Sequence, residues 1–285
     1  MLQLLMLVHS VLSAGTYLFG KRALAELAPA ELALVRFVLA AIVHGAFLVH
    51  RRVRIARRDL PALVGLGLLA VVVNQFLFLQ GLALSTPGHA ALLYALTPVF
   101  VFLIGWARGR ERATVQKIAG IAVAFAGTAV VLAGRGALSA GGRDALLGDL
   151  ALLLAVVAWS LYAVGGKAYA PRYGGLEVGS FTLVAGTLAY LPAGAFFFHP
   201  GDFARLSPGG WFGVAYLVIV TSTVAWLIYY WALARADATR VAIWSNLQPV
   251  LTALLAWVLY GERLTAPFAV GGAMVLAGVV MTERD

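Results

Sequence analysis

Twenty-two residues near the end of the chain, WSNLQPVLTALLAWVLYGERLT (244–265), have a counterpart 151 positions upstream, YALTPVFVFLIGWARGRERAT (94–114). At that one offset Pro98 matches Pro249, Trp106 matches Trp257, and Glu111-Arg112 matches Glu262-Arg263. Farther on, Gly120 matches Gly271 and Ala126-Gly127 matches Ala277-Gly278. Leu, Ala and Val coincide by chance in an apolar chain, whereas Pro, Trp and Glu-Arg at one spacing mark an internal duplication. The beginnings of the two copies align at an offset of 146, with Gly20-Lys21 on Gly166-Lys167 and Glu31 on Glu177.

The duplicated unit is a set of apolar runs of bilayer-crossing length, about 20 residues each. Ten such runs are expected, near 2–20, 31–49, 60–80, 89–107, 115–134, 146–166, 177–198, 209–233, 240–259 and 267–282. Only 12% of the 285 residues are charged, against about 25% in ordinary soluble domains. The first run has no Lys or Arg ahead of it and continues through Phe19, so it reads as an uncleaved span rather than a signal peptide. The longest polar break divides the chain into residues 1–135, a linker at 136–146, and residues 147–285. The predicted fold is an all-α membrane protein of ten transmembrane helices in two five-helix repeats.

Five spans per repeat is an odd number, so the two copies must cross the membrane in opposite senses. The charges support this. With the N-terminus in the cytoplasm, fourteen Lys and Arg fall in cytoplasmic breaks and six on the other side; Arg36 is the twenty-first. Equivalent loops also differ. The break at 50–59 carries five arginines, and its counterpart at 199–208 carries Arg205 alone. An inverted repeat is the plan of many secondary transporters, which bind substrate near the bilayer midplane between the copies. Both termini are expected in the cytoplasm.

These residues resemble a known family. The stretch HSVLSAGTYLFGKRALAELAPAELALVRFVLAA is similar to the opening of the EamA-type, ten-helix branch of the drug/metabolite transporter superfamily. The run LxPxxxxLLAWxxxGERLT around Pro249 is similar to that family's repeat ending. The resemblance spans both halves. It implies a bacterial inner-membrane metabolite transporter, often an exporter, with a cavity between the repeats. Two positions depart from it: Arg110 stands where Gly precedes Glu-Arg in the second copy, and Thr182 stands where the first copy has Arg36.

All twelve acids lie in breaks or at span ends. A buried carboxylate is the usual proton or cation carrier of coupled antiporters, so its absence argues against that chemistry and against strong selection for cationic substrates, and is compatible with uncoupled movement of neutral or zwitterionic solutes. His9, His44 and His89 fall within spans and are weaker proton-carrier candidates, since each can satisfy a local hydrogen bond. Arg36 has two readings. It can snorkel from near the end of the second span to the headgroups, or it can anchor a substrate carboxylate or an outer gate.

Polar and aromatic side chains recur at spacings of three and four, which places each set on one helix face. In lipid such faces need partners or water. The residues expected to line a cavity are Ser13, Tyr17, Asn74, Gln75, Phe78, Tyr94, Trp159, Tyr162, Trp226, Tyr230, Trp244 and Gln248. Their aromatic walls suit amphipathic or aromatic metabolites, amino acids included. Pro98 and Pro249 are expected near mid-span, each depriving the carbonyl four residues back (Tyr94, Ser245) of its helical donor. They read as fixed kinks or as paired hinges. The glycines at 120, 127 and 134, and at 271 and 278, read as a helix-packing face.

The chain has no Cys, which excludes disulfides and thiolate metal sites. No cofactor and no metal are expected. The partners are a small-molecule substrate and the lipid bilayer, with one chain as the simplest assembly. A pI of 10.2 does not point to nucleic acid here, because the basic residues cluster at span ends, where they meet anionic lipid. Two other functions are alternatives. A lipid-linked sugar flippase would share the fold. An intramembrane enzyme would need a G-x-S-x-G elbow, an H-E-x-x-H motif or paired membrane acids, and the chain has none of these.

Overall fold

A computed structural model describes residues 1–85, 87–133, 142–260 and 266–284. Most of the expected linker, Gly134, the side chain of His89 and the Gly-Glu-Arg exit after Tyr260 lie outside the described residues. The ten spans are α1 (Leu2–Leu24), α2 (Pro29–His50), α3 (Leu60–Leu84), α4 (Pro87–Tyr94 continued by Thr97–Ala107) and α5 (Val115–Ala133), then α6 (Gly142–Lys167), α7 (Gly175–Phe196), α8 (Pro208–Leu233), α9 (238–260) and α10 (Ala266–Glu283). Among the described residues nine helices are long and apolar enough to cross a membrane, and α5 adds an apolar stretch over Val115–Val130.

Local chemistry sets the helix starts. Proline occupies the first turn of α2, α3 and α8, where its missing N–H costs nothing. Glu31 reaches back to the Ala28 N–H at 3.3 Å, and the Ser207 hydroxyl accepts from the Gly210 N–H at 3.1 Å, satisfying donors that a helix N-terminus leaves free. The C-terminal carbonyls are also met. Lys21 donates to the carbonyls of Leu82, Ala83 and Ser85 at the end of α3, and Lys167 donates to those of Leu233 and Ala236 at the end of α8. Each lysine adds a positive charge at the negative end of a helix dipole.

The halves are inverted relative to one another. Glu31, at the start of α2, meets His199 beyond the end of α7 at 3.3 Å, and Glu177, at the start of α7, meets Arg51 beyond the end of α2 at 3.6 Å. The two helices therefore lie side by side and antiparallel. The same holds for α5 and α10, where a Cβ on Gly127 would stand 2.6 Å from the Gly271 carbonyl, and one on Gly278 2.5 Å from the Gly120 carbonyl. Glycine at these positions permits backbone contact, as the repeat spacing led us to expect. The remaining interfaces come in exchanged pairs: α1 packs on α8 as α6 packs on α3, and α1 packs on α9 as α6 packs on α4.

Four helices are irregular. In α3 the segment Leu68–Gln75 is a π-helix, and in α8 the segment Tyr216–Ala225 is another, at the equivalent level of the second half. In α4 the helix breaks after Tyr94, and α9 passes through a 3₁₀ turn at Ile243–Asn246. Pro98 consequently sits in the first turn of the second piece of α4 rather than in mid-helix. The freed Tyr94 carbonyl accepts from Thr97 Oγ1 at 2.6 Å and from Ser245 Oγ at 3.4 Å. The second bond joins the two halves through residues that the repeat itself aligns.

Candidate functional site

The irregular parts of α3, α4, α8 and α9 converge with α1, α2 and α6 on a cavity of about 760 Å³, its mouth included. α1 supplies His9, Ser13, Thr16 and Tyr17; α2 supplies Arg36; α3 supplies Gln75 and Phe78; α4 supplies Tyr94 and Thr97. From the second half come Trp159 of α6, Thr221, Ala225, Trp226 and Tyr229 of α8, and Val241, Ala242, Ser245 and Gln248 of α9. Among the described residues α5, α7 and α10 contribute nothing to this lining.

Eight of the twelve residues expected from the sequence face the cavity: Ser13, Tyr17, Gln75, Phe78, Tyr94, Trp159, Trp226 and Gln248. The other four stand behind it. Asn74 is fully buried and donates to the Tyr94 hydroxyl at 3.0 Å and the Ala155 carbonyl at 2.7 Å. The Tyr162 hydroxyl pairs with Thr182 at 2.8 Å, while its ring backs Trp159 and Trp226 at 5.3 and 5.7 Å. Tyr230 packs on Tyr162 at 5.5 Å. Trp244 turns toward the end of α10, where its indole N–H donates to Glu283 at 3.0 Å. These four have the helical spacing of lining residues, but the polar atoms of Asn74, Tyr162 and Trp244 found protein partners and the Tyr230 hydroxyl is buried behind the wall.

Thr16, Thr97, Thr221, Tyr229 and Ser245 also line the cavity; they belong to the polar and aromatic stripes of α1, α4, α8 and α9 that the sequence shows, but are not among the twelve. Ala225, Val241 and Ala242 gave no signal at all, since small apolar residues look the same against lipid, protein or a cavity. The wall is cross-braced. Thr16 bonds Thr221 at 2.9 Å, Tyr17 donates to Gln248 at 2.8 Å, and the Trp226 indole N–H donates to the Gly179 carbonyl at 3.1 Å. Trp159, Trp226 and Tyr229 form one aromatic surface, with Trp159 5.4 and 5.2 Å from the other two rings.

Arg36 does not snorkel. It is 2% exposed and lies in the cavity wall, with its Nε donating to Ser222 Oγ at 2.6 Å. Among the described residues its Nη1 has no hydrogen-bond partner, and no carboxylate lines the cavity. A guanidinium held at depth costs about 2.5–3.5 kcal/mol on insertion scales, and nothing in the wall offsets that with an opposite charge. His44 spends both ring nitrogens, on Ser180 Oγ at 2.9 Å and the Ser222 carbonyl at 3.1 Å. His9 faces the cavity while bonded to the Ala225 carbonyl at 3.0 Å.

The comparisons agree with this architecture. A solved structure described as a crystal structure of a protein superposes with a TM-score of 0.80 at 23% identity, over 99% of this chain and 96% of that one. An uncharacterized transporter of Archaeoglobus fulgidus is 30% identical over 98% of this chain and 96% of its own length. A probable terminal-alkyne amino-acid exporter of Streptantibioticus cattleyicolor is 31% identical over 80% of this chain and 74% of its own. Uncharacterized transporter YyaM of Bacillus subtilis is 23% identical over 97% of this chain and 92% of its own. The family model of EamA-like transporters matches twice, over residues 1–133 and 146–284. This multi-pass membrane protein belongs to the EamA-like transporter family.

Proposed function

We propose that the chain is a secondary transporter that exports small metabolites, amino acids or amphipathic and aromatic compounds, by alternating access without ion coupling. The observation that carries this reading is the cavity at the seam, with α1–α4 of one half facing α6, α8 and α9 of the other. Motion of one half against the other moves the barrier across a site whose residues stay in place. The aromatic surface of Trp159, Trp226 and Tyr229 supplies apolar burial and stacking, and the hydroxyls and amides opposite supply orientation. The exporter similar to this chain is described as acting on an amino acid, which fits a wall that combines aromatic rings with hydroxyls and amides.

The wall lacks a carboxylate among the described residues and His44 is committed to two serine partners, which supports movement down the substrate's own gradient. The charge asymmetry of the loops supports a bacterial inner membrane with both termini in the cytoplasm. One chain builds the whole cavity, so a monomer suffices. Counterflow in proteoliposomes, across a panel of amino acids and aromatic metabolites, tests the reading. Accumulation of labelled solute driven by its unlabelled form is expected, at a rate unchanged by an imposed pH gradient. Acceleration by the gradient would overturn uncoupled movement, and no counterflow across the panel would overturn the carrier.

A further inference from the structure

Three buried polar atoms of cavity-lining residues have no partner among the described residues: Arg36 Nη1, a charged donor, Gln75 Oε1, an acceptor, and the Tyr229 hydroxyl, which can be either. The identity of the second follows from its neighbours. The Ala155 carbonyl can only accept, so the nitrogen of the Asn74 amide faces it and the oxygen faces Gln75. Gln75 must then present its own nitrogen to Asn74, which leaves its carbonyl oxygen as the free atom. The assignment of a free acceptor rests on hydrogen bonding rather than on the choice between two similar atoms.

Arg36 is set up in the same way. Ser222 takes its Nε, which leaves donors at the far edge of the guanidinium, the edge that matches a carboxylate. The feature belongs to one half only. The aligned residue of α7, Thr182, is satisfied by the Tyr162 hydroxyl and by the carbonyls of Val178 and Gly179. A buried cation with spare donors and no acid in the wall attracts an anion, and a free amide oxygen in the same cavity attracts a cation.

We propose that Arg36 and Gln75 are the polar recognition pair of the transport site, Arg36 holding a substrate carboxylate and Gln75 Oε1 its ammonium. The bound solute is then a zwitterion whose side chain lies on the aromatic surface. This rests on the carrier reading above and adds its charge selectivity. It also makes substrate the counter-ion that the wall lacks, so an occupied cavity is electrically matched and an empty one is not.

Calorimetric titration of the purified protein tests the pair without transport. The probes are leucine, phenylalanine and tryptophan, each with its decarboxylated amine and its deaminated acid. On at least one scaffold the amino acid is expected to bind about 30-fold or more tighter than the amine, the loss expected for one partner of a buried charged pair. Arg36→Gln should erase that preference, and Arg36→Lys should retain part of it. Ser222→Asp leaves Arg36 in place, supplies an internal counter-ion and should erase it too, which covers a folding failure of Arg36→Gln. Gln75→Leu should remove a preference of about tenfold for the amino acid over the deaminated acid, and leave the carboxylate preference standing. Amines binding as well as amino acids on all three scaffolds, no binding by any probe, or a preference surviving both Arg36→Gln and Ser222→Asp would overturn the proposal. Failed counterflow with this binding pattern intact would sink the carrier reading and leave the pair.

Discussion

The carboxamide of Asn74 spends its nitrogen on the Tyr94 hydroxyl and the Ala155 carbonyl, and its oxygen on the amide of Gln75. It touches no part of the cavity, yet two of the residues it holds line the wall. Asn74→Leu should therefore cost about 1–3 kcal/mol from the polar groups left unpaired, and also weaken ligand binding about tenfold as Tyr94 and Gln75 lose their fixed positions. Unfolding transitions and titrations on the same protein separate the two effects. A lowered melting temperature with unchanged affinity would reduce Asn74 to a structural residue. The same residue shows what the sequence could reveal about the site. The polar stripe of α3 was readable from its spacing, because polar atoms in a span need partners. Whether each partner is protein or solute was not, since Ala155 and Val156 of α6, which accept from Asn74 and Ser160, offer backbone carbonyls that no side-chain pattern records.

The ten helices were readable because a bilayer fixes their length and short charged breaks separate them. Their interruptions were not. Leu68–Gln75 and Tyr216–Ala225 contain no glycine or proline to mark a break, but both wind as π-helix. Proline did mark α4 and α9, though the break in α4 comes before Pro98, between Tyr94 and Thr97. There the chain direction is held by the Thr97 and Ser245 hydroxyls on the Tyr94 carbonyl. Alanine at 98 or 249 restores a backbone donor and favours a straighter helix. If these breaks are the paired hinges, Pro98→Ala and Pro249→Ala should leave affinity within about threefold, less than 1 kcal/mol, and slow the turnover of counterflow. Turnover equal to the parent in both would leave the prolines as fixed kinks.

Each face of the molecule carries a contact between halves that the repeat maps onto its opposite number. On one face Glu26, in the turn after α1, accepts from the Ser207 N–H and hydroxyl at 2.7 and 2.6 Å, at the start of α8. On the other, Arg172 and Tyr173, in the turn after α6, hold Asp59 at the start of α3, with the arginine at 2.6 Å. The hydrogen bonds from Ser207 hold the Glu26 carboxyl below its ordinary pKa. Its contact is therefore complete above that ordinary value and is lost as pH falls through the lowered one. If alternating access opens one face while the other stays shut, releasing the contacts should bias the carrier in opposite directions. The Cys-free chain allows this to be read from Ser13→Cys in the cavity with a membrane-impermeant thiol reagent. With the termini in the cytoplasm, Glu26→Ala should raise labelling from outside and Asp59→Ala should raise it from inside, each by severalfold. Acid should mimic the first substitution. Labelling that rises from the same side in both variants would mean that these contacts do not gate the two faces, and the inverted repeat would then explain the fold without explaining the transport cycle.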